Sequence, residues 1–196
     1  IQSVVLTGDI FSVPSSTKWQ KLYEEFNDQD IHIAPGNHDV LRPDSKEIFK
    51  KQKFIKQSYP YHLTGDLVKI IVSDSISNKW QLGLPLEDLL EASRSDVIVA
   101  RHNIVISELI SLANSRAGSS ALPAAQEFVD KLRTDQQITW IMGDGGAFSH
   151  LPRLTCKKFQ NHKFIVNGIG EVEGDIVLIL NKGKLFKYSL SQQTSK

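Results

Sequence analysis

Short apolar runs alternate with amphipathic stretches along the chain. "SVVLTGD" (3–9) is rich in β-branched residues and ends at a glycine, the pattern of a strand buried on both faces. In "TKWQKLYEEF" (17–26), Trp19, Leu22, Tyr23 and Phe26 fall at helical spacing, and Thr17 with Gln20 has the form of a capping box. The run "DIHIAPG" (30–36) reads as the next strand, and "PDSKEIFKKQKF" (43–54) as a helix with Asp44 as N-cap and Glu47 at N3. Further strands are expected at "DLVKIIVSDS" (66–75), "DVIVARH" (96–102) and "QITWIMGD" (137–144), with helices at "PLEDLLEAS" (85–93) and "LPAAQEFVDKL" (122–132) between them. The chain closes with "KFIVNGIG" (163–170), "GDIVLIL" (174–180) and "KLFKYSL" (184–190), the last two joined through Asn181-Lys182-Gly183 as a hairpin. Strands alternating with helices give an α/β class with an antiparallel C-terminal tail.

Composition narrows the partners without choosing one. With 196 residues, 40% of them hydrophobic, the chain is long enough for one sizeable core, so residues 1–196 are expected to form a single domain. A formal net charge of +1 supplies no field that would gather nucleic acid or an anionic membrane. The single cysteine, Cys156, excludes an intrachain disulfide framework. It fits a reducing compartment, which makes the cytoplasm the expected location, and it reads as a packed thiol. No apolar stretch approaches the roughly 20 residues of a membrane span, and no basic segment followed by an apolar one opens the chain.

Chemistry is sought just after the strands, because ligands of open α/β sheets gather outside the carboxyl ends. Four ends carry suitable groups: Asp9, the run Asn37-His38-Asp39, His102 and Asp144. Each alone has a plain alternative, since Asn, His and Asp are turn-tolerant and "PGNHD" would serve as a loop that satisfies its own backbone. Together they form a set of carboxylate, amide and imidazole donors suited to Mn²⁺, Fe, Zn²⁺ or Mg²⁺. Gly8, Gly36 and Gly143 stand where the backbone must turn tightly before them.

In these residues the chain resembles the calcineurin-like metallophosphoesterases. The match runs through Gly8-Asp9, then Gly36-Asn37-His38-Asp39, then the lone His102, in order. The resemblance implies a sandwich of two mixed β-sheets flanked by helices. It implies that Asp9 bridges two metal ions, that Asn37 and His102 bind the second ion, and that His38 faces the phosphate as proton donor or charge stabiliser. Asp39 would orient His38. The implied chemistry is metal-assisted hydrolysis of a phosphate ester, by two ions roughly 3.5–4 Å apart that polarise the phosphoryl oxygens and supply hydroxide.

Two departures bear on that reading. Where the family has Gly-His-x-His, this chain has "GDGG" (143–146), so Asp144 stands for the first histidine and Gly146 for the second. Aspartate can bind a metal; glycine has no side chain to do so. The family's Asp-x-His strand is also not seen before "SVVLTGD", which leads to the expectation of a missing first strand and of at most one well-held metal equivalent. A binding module on the same fold, docking another protein without metal chemistry, therefore stands as the alternative to an enzyme. Among the other residues, His32 reads as a sheet-face histidine, His62 and His162 as surface or loop positions, and Asp74 and Ser75 as structural. The cluster Lys157, Lys158 and Lys163 reads as a solvated basic face, which leaves Arg101, beside His102, as the candidate for substrate phosphate.

Overall fold

The computed structural model describes residues 3–53, 55, 58–64, 68–76, 96–103, 137–143, 145–146, 152–159, 161–168 and 175–189. In chain order these form β1 (Ser3–Leu6), α1 (Ser16–Glu25), β2 (Asp30–Ile33), α2 (Asn37–Val40), α3 (Pro43–Lys50), β3 (Tyr61–Thr64) and β4 (Val68–Val72). There follow β5 (Asp96–Arg101), β6 (Ile138–Met142), β7 (Leu154–Phe159), β8 (His162–Asn167), β9 (Ile176–Asn181) and β10 (Lys184–Ser189). The helices expected at 85–93 and 122–132 lie outside the described residues.

Six strands make one mixed sheet in the order β3-β4-β5-β6-β8-β7. Its four inner strands are mutually parallel, and β3 and β7 close the two edges antiparallel. The inner strands are the apolar runs of the sequence: Val97 to Arg101 are buried without interruption, as in a sheet covered on both faces. The edge strands have no such signature: "YHLT" and "LTCKKF" carry no apolar run and take their place from their neighbour's open hydrogen bonds. The remaining strands form two pairs, β1 parallel to β2 and β9 antiparallel to β10. Lys182 and Gly183, both at positive φ (47° and 75°), make the tight turn of the expected hairpin.

Helix boundaries differ from those read off the sequence, and the caps explain why. The first helix starts at Ser16 with Ser15 as its cap: Ser15 is extended, and its Oγ accepts from Lys18 N at 3.3 Å. Thr17 is thus already helical and the expected capping box does not form. In α3, Pro43 occupies the first helical position, where its fixed φ suits the helix and its missing N–H is no loss. The cap falls to Arg42, and Asp44 joins the first turn instead.

Aromatic side chains pack in both the β1–β2 region and the large sheet. Trp19, fully buried, meets Phe11 and Phe49 edge to face at 5.0 and 5.6 Å and packs with Ile31, Ile33 and Val40. A buried Trp removes about 150–250 Å² from water, of order 4–6 kcal/mol. Across the large sheet Trp140 stacks on Phe164 at 6.1 Å and donates its indole N–H to His162 Nδ1 at 3.2 Å. His162 is therefore a buried strand residue, 1% exposed, and not the loop position expected. Cys156 is exposed, contrary to the packed thiol read from sequence, because alternation on the edge strand places it on the same face as Lys158. The run at β1 is only half-buried where burial on both faces was expected, since its one described neighbour is β2. No helix among the described residues is long and apolar enough to cross a membrane.

Candidate metal centre at the strand ends

Beyond β1 the chain turns through Gly8 and Asp9, both at positive φ (84° and 51°). Beyond β2 it reaches Gly36, from which α2 starts with Asn37. The two turns touch backbone to backbone. A Cβ on Gly8 would collide with Gly36 N and stand 2.8 Å from His102 Nδ1, and one on Gly36 would overlap the Asp9 carboxylate. Glycine is required at both positions for this approach. Reciprocal hydrogen bonds lock it. Asp39 Oδ2 accepts from Gly36 N and from Asp9 N, each at 2.9 Å, and Asp9 Oδ1 accepts from His38 N at 2.8 Å. One oxygen of Asp9 is thereby tied to the main chain and the other, Oδ2, points at two imidazoles.

His102, directly after β5, places Nδ1 2.8 Å from Thr7 O, and His38 places Nδ1 2.7 Å from Ser12 O. A carbonyl oxygen only accepts, so in both rings Nδ1 carries the proton. The other nitrogen of each ring, Nε2, faces Asp9 Oδ2, at 3.5 Å for His102 and 4.0 Å for His38. Two acceptor atoms that close repel unless a cation lies between, either a proton on Nε2 or a metal ion. Metal–ligand bonds of about 2.0–2.2 Å at a tetrahedral angle put neighbouring ligand atoms roughly 3.4 Å apart, close to the His102–Asp9 separation. The donors present therefore fit a divalent ion held by Asp9 and His102, with Asn37 one peptide away from the N–H that Asp9 grips. Among the described residues no three His, Cys, Asp or Glu side chains group as ligands. Exposure sorts the roles: the His102 side chain is 1% exposed and that of His38 41%, which leaves His38 on the open side.

The model of the calcineurin-like phosphoesterases matches residues 2–168. The chain belongs to that family. A search among curated proteins gives no match. Members are metal-dependent phosphoesterases, and the match spans both the β1–β2 pair and the six-stranded sheet that meet at this site.

At the strand ends, two residues stand differently from the sequence reading. Arg101 is 1% exposed and its Nε donates to Asn103 O at 2.8 Å, so it is not presented to a phosphate in solvent. Burial pulls its guanidinium down to about 9, still protonated at neutral pH. The Asp39 carboxylate, expected to orient His38, spends its hydrogen bonds on the two backbone amides; the His38 ring is held by Ser12. Burial pushes the Asp39 carboxyl up to about 6, against the lowering by the Gly36 amide. Asp144 lies outside the described residues. Its neighbour Gly143 reaches the site, for a Cβ there would stand 2.8 Å from His102 Nδ1. At Gly146, with φ +75°, the space for a side chain is taken by Arg153 Cγ, 2.7 Å from where a Cβ would be. Thr7 and Ser12 went unnoticed in the sequence, since they act through carbonyl oxygens that every residue possesses.

Proposed function

We propose that the chain hydrolyses phosphoric monoesters or diesters at this strand-end site, with residues 1–196 acting as one phosphoesterase domain. The observation that supports this most is the pair of imidazoles with Nδ1 anchored on carbonyls and Nε2 turned toward one carboxylate oxygen. Asp9 Oδ2, His102 Nε2, Asn37 and Asp144 would hold one or two divalent ions, manganese, iron, zinc or magnesium. A bound ion would polarise the phosphoryl oxygens and acidify water. His38 would act on the leaving group: with Nδ1–H on Ser12 O, only Nε2 is left to carry a proton toward the ester oxygen. Asp39 would keep Asp9 and His38 in register through the amides it binds.

The alternative, a protein-binding module that has lost metal chemistry, draws support from Gly146, whose side-chain space Arg153 fills. One assay separates them. The full chain with manganese should hydrolyse an aryl phosphate or a bis-aryl phosphate, and His38→Ala should lower turnover by about 10²- to 10⁴-fold, with little change in thermal midpoint. Absence of activity on both esters favours the module. Metal-dependent activity undiminished by His38→Ala removes the role given to that residue.

A further inference from the structure

His102 sits between two residues that are each fastened to a neighbouring strand. On one side, Arg101 O accepts from Gly143 N at 3.2 Å, at the end of β6. On the other, Asn103 N donates to Ser75 Oγ at 3.2 Å and its side-chain amide to Ser75 O at 3.4 Å, just beyond β4. The Arg101 side chain spans the two positions, Nε donating to Asn103 O at 2.8 Å. The three residues close a ring of atoms, so neither peptide flanking His102 can rotate alone. The ring position of its imidazole depends on this: Nδ1 has to meet Thr7 O while Nε2 meets Asp9 Oδ2.

A buried guanidinium is a costly way to fill space, because a charge leaves water. An apolar side chain of that volume would pack the same layer without a donor at Asn103 O. We propose that Arg101 is a positioning residue of the metal centre, holding the His102 imidazole in its ligand orientation through the Asn103 carbonyl. The inference rests on the reading of His102 as a metal ligand. It differs from a phosphate-binding role, since Arg101 touches no open surface.

The test uses the full chain with Arg101→Met, Arg101→Lys and Ser75→Ala. Arg101→Met removes donor and charge; Arg101→Lys keeps the charge and puts a methylene where Nε stands. Four quantities are followed: manganese affinity by calorimetry, the His102 imidazole nitrogen shifts in metal-free protein, the thermal midpoint, and KM and kcat on an aryl phosphate. Arg101→Met should lose roughly 10- to 100-fold in manganese affinity, the range for groups that orient a ligand. The single His102 Nδ1–H tautomer should give way to a mixture, with KM unchanged at saturating manganese. Arg101→Lys should fall between wild type and Arg101→Met. Ser75→Ala should lose about fivefold, as for one neutral hydrogen bond, and it decides the matter should the Arg101 variants fail to fold.

Unchanged affinity and unchanged His102 shifts in the folded variants overturn the proposal. So does a tenfold rise in KM at saturating metal, which would make Arg101 a substrate group. If wild type takes up no manganese while Arg101→Met still disturbs His102, the ligand reading fails and the positioning of the ring stands.

Discussion

Asp39 makes contacts that its position in the sequence does not announce. Its place two residues after Asn37 marked it in the sequence, yet nothing there says that its oxygen binds the amides of Gly36 and of Asp9, thirty positions away. Removing the acceptor strands one buried N–H group, worth about 1–3 kcal/mol, and one half-buried one, worth less. Asp39→Ala should therefore lower unfolding free energy in urea by roughly 2–5 kcal/mol. Asp39→Asn keeps an oxygen for both amides and loses a charge that burial opposes, so it should stay within about 1 kcal/mol of wild type. An Asn variant as unstable as the Ala variant would show that the negative charge, and not the acceptor, holds the turns.

At the scale of elements, what the sequence made plain was whatever burial dictates. The runs that became β4, β5, β6 and β8 are apolar because these inner strands, paired on both sides, are largely buried. Edge strands escaped notice because half of each is wet, and caps were misplaced because Ser15 and Pro43 compete with equally plausible neighbours at single-residue spacing. The turns after β1 and β2 were legible through their glycines, though not the contact between them. That contact makes Gly36→Ala a sharp test. The added methyl has to displace Asp9 backbone as well as its carboxylate. The variant should lose about 1–3 kcal/mol of stability, as overpacked sites do, and more than tenfold in manganese affinity. Near-normal affinity measured by calorimetry would mean that Asp9 does not need the turn to hold its place.

For the molecule as a whole, the site is a seam. Asp9 and His38 belong to the β1–β2 unit and His102 to the six-stranded sheet, and among the direct ties at the seam are His102 Nδ1–H to Thr7 O and Tyr61 Oη against His32 Nδ1 at 3.4 Å. An ion gripped from both sides would bind only the folded chain. Manganese at a hundredfold excess over Kd should stabilise by about 2.7 kcal/mol, which for a 196-residue chain raises the melting midpoint by roughly 5–10 °C. Scanning fluorimetry would show the rise, its reversal by a chelator, and its absence in Asp9→Asn. A midpoint indifferent to metal in wild type would mean that no ion crosses the seam. The sequence named the side chains on each side of it through familiar motifs. It could not name the join, because the imidazole of His102 meets a main-chain oxygen of Thr7 that no motif marks.

The tautomer of both histidines is set by those same main-chain oxygens, and this shapes which changes the chain can absorb. A histidine aimed by an aspartate loses its aim when the aspartate is replaced. Here the acceptors are the carbonyls of Thr7 and Ser12, present whatever side chain those positions carry. Substitutions at positions 7 and 12 can thus change the side chains there while leaving the proton on each ring where it is.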